Sequence, residues 1–429
     1  MQGTVITSIK CSVQIDTLGP ECLSRGEGMY KYKDCLPIPP LSLVDDVLAV
    51  GHCGSDSIKL NSIIQSKMDT KKLELGTDKC FQMHIGKNSP ETCPELNVHQ
   101  DIMKTTSSEK YLGDIITNTG KIDQNIQSRV DKANGTINSI ISLLEEISFG
   151  HHYFEMAILF RNSMLINSLL SSSEVLYGIK HKHIEMLEKC DKDLLVRVFS
   201  VPSSCSYEAV YLETGCLPIR FILQGRQLLY YWTLLNKPSE ELVKRFFEIQ
   251  KDFSTTDDWI LQIEEDKRDL EINISEQSIQ IMKKEAFKKL VKQKLNEKAF
   301  EFLFKTKEGH SKTKHLKSFL FQNYLQTENI STKEKKLLFS LRTRSVDVKT
   351  NYKNKYKFSM QCSLCENASE EESEMHLLKC IKISQNINPN IDLKNASYKN
   401  IFSENIDDQV KITKIFDAVF RTKNSLLNF

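Results

Sequence analysis

The spacing of hydrophobic positions changes near residue 120. Before it, short apolar runs over residues 37–50 and 81–86 are typical of β-strands or hairpins. Between them, residues 57–74 carry apolar side chains every three or four positions, which predicts a helix with a buried face that includes Ile58 and Leu60. From residue 122 to 198 the helical spacing recurs in three successive segments, with Arg129 predicted on a solvent-facing side.

The clearest amphipathic helix is predicted over residues 280–305, where lysines crowd the polar faces. Its apolar positions step by four: Phe287, Val291, Leu295, Ala299 and Leu303. A basic helix of this kind can follow nucleic-acid phosphates. Because glutamates are interleaved with the lysines, an ordinary solvated face explains the pattern equally well.

Four arginines suggest further contacts with nucleic acid. Arg220 and Arg226 could contact backbone phosphate, although the aromatic residues that follow them are more typical of a helix core. Arg342 and Arg344 precede a lysine- and tyrosine-rich run at residues 349–357, a mixture that suits an RNA surface.

Composition narrows the class of protein. The 429 residues allow two or three domains, and 40% hydrophobic with 27% charged residues is ordinary for a globular protein. No apolar run reaches the roughly 18 residues of a membrane span, and no secretory signal is evident, so we expect no membrane partner. Twelve mostly scattered cysteines then predict reduced thiols and an intracellular location, in the nucleus or the cytoplasm.

Near the C-terminus, four residues have the spacing of a structural zinc site: Cys362, Cys365, His376 and Cys380. Zn²⁺ takes four nitrogen or sulfur ligands in a tetrahedron, and a Cys-x-x-Cys turn supplies two thiolates at once. Leu377 and Leu378 would pack beneath the following helix, and the acidic segment 366–374 would face solvent. A redox pair or unrelated thiols are alternatives, but neither accounts for His376 and Cys380.

Two adjacent carboxylates, Asp45 and Asp46, interrupt the apolar run at residues 37–50. Burying both in a core would cost several kcal/mol. A hairpin that turns them toward a cleft would let Mg²⁺ neutralise them, as in two-metal phosphoryl transfer. An ordinary surface turn is the alternative, because aspartate favours turns.

The order of several short segments resembles the reverse transcriptases of non-LTR (LINE-type) retrotransposons. The hairpin at residues 43–46 is similar to their x-x-Asp-Asp motif, and Gln2-Gly3 to their template- and nucleotide-positioning motif. Lysine- and glycine-containing segments at residues 71–87 and Tyr-Leu-Gly at residues 111–113 follow in the family's order. The resemblance implies an RNA-directed DNA polymerase, a nucleotidyltransferase that uses an RNA template and a DNA primer.

The resemblance also implies roles for single residues. Asp45 would coordinate Mg²⁺, Asp46 would support that site, and Lys79 would lie near the triphosphate. Gln2 and Gly3 would position template and nucleotide, and Gly113 would allow close approach of the primer. The family's first palm strand carries another metal-binding aspartate that this chain does not supply, so we expect the chain to be inactive alone.

We therefore predict an α+β protein that contains a partial right-hand polymerase palm. The expected regions are a partial palm at residues 1–120, a helical thumb at 121–200, a mostly helical connection at 201–358, a zinc module at 359–385 and a tail at 386–429 that is helical or partly disordered. Two alternatives remain. One is a non-enzymatic zinc-containing nucleic-acid-binding protein, and the other is an inert helical scaffold that zinc stabilises.

Overall fold

The computed structural model divides the chain into two compact units. One comprises residues 1–128 and 233–262, and the other residues 129–232 and 263–429. The structure describes residues 29–32, 35–43, 46–51, 53–73, 75–85, 95–147, 149–253, 258–308, 313–352, 355–356, 359–365, 370–394 and 396–427.

The strands of the first unit are short and form separate pairs. β1 (Lys31–Tyr32) pairs antiparallel with β2 (Leu36–Pro37). β3 (Leu41–Leu43) pairs antiparallel with β4 (Asp46–Leu48), with Leu43 opposite Asp46. The strands predicted around the paired aspartates are therefore present.

The predicted helix is α1 (Gly54–Thr70), and it buries Leu60, Ile63, Ile64 and Met68. Met29 completes this small core. Ile58, expected on the same face, is 49% exposed. That expectation was wrong because a step of two residues rotates a side chain about 200° around a helix, away from Leu60.

After α1, β5 (Phe81–Gln82) pairs in parallel with β8 (Lys104–Thr105), and β6 (Asn97–Val98) pairs antiparallel with β7 (Asp101–Ile102). The strand predicted over residues 81–86 is thus only two residues long.

A second hairpin joins β9 (Ser108–Tyr111) to β10 (Asp114–Thr117) through Leu112 and Gly113. Both turn residues have positive φ, 49° and 94°, as a type I′ turn requires. This turn matches the right-handed twist of the strands and fixes the register with Tyr111 opposite Asp114.

The remaining elements are helices. In chain order they are α2 (Asp123–Glu146), α3 (Tyr153–Phe160), α4 (Ile166–Leu170), α5 (His181–Phe199), α6 (Tyr207–Thr214), α7 (Ile219–Leu235), α8 (Leu242–Asp252), α9 (Trp259–Asp269), α10 (Glu276–Ile281), α11 (Lys284–Glu308), α12 (Thr332–Arg342), α13 (Glu374–Lys379), α14 (Ile381–Asn386), α15 (Tyr398–Ile401) and α16 (Ile406–Leu427). A π-helical turn, Arg161–Leu165, links α3 to α4.

Stacked phenylalanines form the centre of the second unit. Phe154 of α3 lies 4.8 Å from Phe199 of α5, which lies 4.0 Å from Phe339 of α12, measured between ring centroids. Such rings remove large apolar areas from water and so fix the packing of three helices that are distant in sequence. The predicted helical segments between residues 122 and 198 are confirmed.

Arginines of this unit lie inside it. Arg129, expected to face solvent, is buried and donates hydrogen bonds to the carbonyls of Leu169 and Ser171 at 3.2 and 2.5 Å. Arg161 donates two hydrogen bonds to the Asp191 carboxylate at 2.7 and 2.6 Å. A buried arginine needs such acceptors because an unpaired internal charge is strongly destabilising.

The tail predicted as helical or partly disordered contains the long helix α16. It buries Ile412, Ile415, Phe416 and Val419 and packs against α12 and α15. The helical alternative is the one found, because these apolar positions recur at helical spacing and have a core to meet.

The predicted α+β class is confirmed, because the fold is mostly helical with small sheets. Within the described ranges the strands form five two-stranded pairs and no larger sheet. Over the same ranges, no helix combines the length and the apolar character needed to cross a membrane.

Candidate functional site

The four predicted zinc ligands converge at one point. One potential ligand atom from each of Cys362, Cys365, His376 and Cys380 lies within 4.8 Å of every other. Cys362 Sγ is 4.0 Å from Cys380 Sγ, and Cys365 Sγ is 3.4 Å from His376 Nε2.

These distances fit one tetrahedral metal ion. Thiolates bound to zinc at their usual bond length lie about 3.8 Å apart. Burial and the adjacent Cys362 sulfur raise the pKa of the Cys380 thiol. A bound cation would oppose this shift by stabilising the thiolate. The cluster can therefore hold a metal such as zinc.

Local structure arranges the ligands. The backbone N–H of Leu364 points to Cys362 Sγ at 3.5 Å, as the tight Cys-x-x-Cys turn requires. Ser373 caps α13 by accepting from the N–H of His376 at 3.1 Å. Leu377 and Leu378 are buried, as the sequence predicted.

The second nitrogen of the histidine ring faces a carboxylate. His376 Nδ1 is 3.5 Å from Glu370 Oε2, while Nε2 faces the sulfur cluster. Metal-ligating histidines characteristically donate their other N–H to such a group, which fixes the tautomer and the ring orientation. Glu370 therefore belongs to the site, although its position in the sequence gave no signal of this role.

The acidic segment expected in solvent is partly buried, which corrects that prediction. Glu374 is fully buried and accepts hydrogen bonds from Arg344 Nε at 3.0 Å, Asn351 Nδ2 at 2.7 Å and Tyr398 Oη at 3.2 Å. Each bond compensates for lost hydration of the carboxylate. Glu374 thus connects the metal cluster to segments before and after it.

A second buried glutamate, Glu372, also connects the metal cluster to another segment of the chain. Glu372 accepts a hydrogen bond from Lys423 Nζ of α16 at 2.8 Å and one from the N–H of Ser363 at 3.1 Å. Burial alone would raise the pKa of Glu372, but these hydrogen bonds outweigh it and lower the pKa. Glu372 therefore links the Cys-x-x-Cys turn directly to the C-terminal helix.

The acidic hairpin is the other candidate site. Asp46 is exposed at the start of β4, and Asp45 lies outside the described residues, as do Gln2 and Gly3. Burial and the nearby Asp46 carboxylate raise the pKa of Tyr111, the residue that opens the Tyr-Leu-Gly turn. The two hairpins are thus electrostatic neighbours, although 65 positions separate these residues in the sequence.

The remaining predicted residues are more isolated. Lys79 is exposed in a short 3₁₀ turn, Thr77–Lys79, and forms no ion pair with any of the described residues. Gly113 sits in the exposed type I′ turn, and a side chain added there would meet nothing within 4 Å. The role in primer approach that the resemblance implies for Gly113 stays a prediction.

All four arginines proposed to contact nucleic acid have internal partners, including Arg344, which donates to buried Glu374. Arg220 donates to both oxygens of Glu188, at 2.7 and 2.8 Å, and Arg226 donates to Asn167 Oδ1 at 2.8 Å. Arg342 is buried and donates two hydrogen bonds to the Glu213 carboxylate, from Nε to Oε2 at 2.7 Å and from Nη2 to Oε1 at 2.9 Å. Arg220 and Arg342 thus balance buried carboxylates from distant helices, whereas Arg226 binds an uncharged amide oxygen. Contact of these residues with nucleic acid stays a prediction.

Comparison with known proteins gives no assignment: the chain matches no protein-family model, no curated protein and no solved structure.

Proposed function

We propose that the chain is part of an RNA-directed DNA polymerase of the non-LTR retrotransposon type, and that it binds an RNA template with a DNA primer. The observation that carries the proposal is that the chain forms two hairpins in the family's order, β3–β4 with Asp46 and β9–β10 with Tyr111. The resemblance assigns Asp46 to the polymerase centre and Tyr111 to the palm–thumb boundary, and the Asp46 carboxylate acts electrostatically on the Tyr111 phenol. Helix α2 follows this second hairpin, where the family has its thumb.

In this proposal the acidic hairpin supplies carboxylates for Mg²⁺. Asp45 would coordinate the ion and Asp46, exposed on β4, would support that site. Two-metal catalysis also requires carboxylates from a second strand. We therefore expect this chain to bind template and primer, but not to catalyse extension alone. The Cys-Cys-His-Cys cluster would hold structural zinc.

The test is binding of an RNA template–DNA primer hybrid in the presence of an incoming nucleotide, with and without Mg²⁺. We expect Mg²⁺ to strengthen wild-type binding and Asp46→Asn to remove this gain. Asp101→Asn, on exposed β7, is the matched control and should behave as wild type. Absence of hybrid binding, or an undiminished Mg²⁺ effect in Asp46→Asn, would contradict the proposal.

Primer extension in the same samples measures catalysis separately. Extension that Asp45→Asn abolishes would show a complete catalytic site and would correct our expectation that the chain alone is inactive. Binding without extension agrees with that expectation.

A second candidate is a non-enzymatic zinc-containing nucleic-acid-binding protein. The convergence of the four ligand atoms and the exposed lysines of α11 favour it. It predicts salt-dependent binding that does not change with Mg²⁺ or with Asp46→Asn.

A further inference from the structure

We propose that one exposed ridge of α11 binds single-stranded nucleic acid, with its phosphates on lysines and a base on Phe300. The ridge consists of Lys284, Lys288, Lys292, Asn296 and Phe300. The inference rests on the proposed function, for which this ridge would hold the unpaired part of the RNA template.

The ridge follows from how α11 is buried. Its apolar stripe is buried as the sequence predicted: Phe287, Val291, Leu295, Ala299 and Leu303. The ridge residues from Lys288 onward each come one position after a member of this stripe. A step of one residue rotates about 100°, so the ridge winds with the stripe and stays exposed along its length.

The ridge lysines are available to a ligand. Residues 283–305 contain eight lysines and three glutamates. Glu297 and Glu301 pair with Lys294 and Lys298, at 3.2 and 3.7 Å, and these two lysines lie off the ridge. Neither Lys288 nor Lys292 has a carboxylate partner among the described residues.

The spacing suits a repeating anion. Residues four apart on a helix are separated by about 6 Å along its axis, so the three lysines form an evenly spaced row roughly 12 Å long. Successive phosphates of a flexible strand can follow such a row, and the favourable release of their counterions drives binding. A single small anion could not contact all three of these evenly spaced lysines.

Aromatic rings lie near both ends of the ridge. Phe300 is 39% exposed and lies against Phe304 in a tilted arrangement, with 4.1 Å between ring centroids. At the other end, Lys284 Nζ lies 5.9 Å from the centre of the Trp232 ring. Bases stack on exposed aromatic rings without sequence preference, and lysines beside them contact the backbone. This combination points to nucleic acid rather than to a polyanion without bases.

The charge test compares two triple variants of the full chain by fluorescence anisotropy, using a 20-nucleotide oligouridine as probe. Lys284→Gln/Lys288→Gln/Lys292→Gln should weaken binding roughly tenfold or more at 0.1 M salt, and lower the slope of log K against log salt by about 2. The control, Lys399→Gln/Lys411→Gln/Lys414→Gln, removes the same charge from exposed positions of α15 and α16 and should bind as wild type.

The stacking test uses Phe300. Phe300→Ala should weaken oligouridine binding about fivefold, while Phe300→Trp should retain it and show tryptophan quenching. Inorganic polyphosphate, which has charge but no bases, should bind Phe300→Ala and wild type equally.

The outcomes separate the two proposals. Suppose that wild type binds the hybrid and oligouridine, and that Lys284→Gln/Lys288→Gln/Lys292→Gln binds each of them as tightly as wild type does. The ridge is then a solvated face, and this inference fails while the proposed function stands. If Phe300→Ala loses polyphosphate and oligouridine alike, base stacking is rejected. If wild type binds neither nucleic acid, both proposals fail.

Discussion

The Cys-Cys-His-Cys cluster and the acidic hairpin are both candidate metal sites, but they are built in different ways. All four ligands of the cluster come from one short segment, and their atoms converge within 4.8 Å. Buried glutamates tie that segment to Arg344 and Lys423. At the hairpin, Asp46 is exposed, and Tyr111, whose pKa its charge raises, belongs to another pair of strands.

The difference shows which kind of site can be completed locally. A tight turn and one helical turn are enough to place four soft ligands around zinc. A magnesium centre that handles phosphates needs hard oxygen ligands from several strands and from the substrate itself. The cluster is thus defined by spacing, whereas the hairpin is only one part of a site.

The largest effect is expected from removing a cluster ligand. Cys362→Ser should lower bound zinc from one equivalent to well below one and unfold the module locally, because zinc binding and folding are coupled in such sites. Metal content by mass spectrometry and thermal melting are the measurements. Cys53→Ser, an exposed cysteine outside the cluster, is the control. Unchanged zinc and melting in Cys362→Ser would reject the site.

The second-largest effect is expected from a buried glutamate that holds the cluster segment in place without binding the metal. Glu374→Gln should destabilise the protein by about 3 kcal/mol, because Arg344 and its neighbours lose the charge that they surround. Zinc stoichiometry should remain one. Urea unfolding measures the change, with exposed Glu371→Gln as the control. Equal stability of the two variants would show that the buried pair does not hold this region together.

A smaller effect is expected at the second hairpin. Gly113→Ala should cost about 1 kcal/mol, because φ is +94° and alanine tolerates that conformation poorly. The added methyl group meets nothing within 4 Å, so strain is its only penalty. Gly135→Ala, inside α2 with equally open space, should instead stabilise the protein by up to about 1 kcal/mol. Effects of the same sign would contradict the assigned turn.

The smallest effect tests the proximity of the two hairpins. Burial and the negative charge of Asp46 both disfavour the Tyr111 phenolate and raise its pKa. Asp46→Asn should remove the charge and lower the pKa of Tyr111, while burial keeps it above the usual value. Alkaline titration followed by NMR of labelled tyrosine, assigned with Tyr111→Phe, measures it. An unchanged pKa would show that the charge of Asp46 does not reach Tyr111 and would weaken the polymerase proposal.

Much of the candidate chemistry was visible in the sequence. The spacing of Cys362, Cys365, His376 and Cys380 specified the cluster because all four residues are near neighbours in the chain. The apolar spacing likewise specified α11 and its buried stripe, since a helix repeats locally.

The partners of the arginines depended on tertiary structure. Arg161 of the π-helical turn meets Asp191 of α5, and Arg342 of α12 meets Glu213 of α6. A basic residue on its own looks the same in sequence whether it binds phosphate or a buried carboxylate. Only the packing of distant helices decides between them, because burial makes a nearby opposite charge necessary.

The sequence by itself determined the cluster ligands and the amphipathic helix, both of which depend on contacts a few residues apart. Tertiary structure decided that Glu372 and Glu374 are buried and that the charge of Asp46 reaches Tyr111. These outcomes depend on which distant surface each side chain meets, and the free energy of burying a charge or a methyl group is set by that partner.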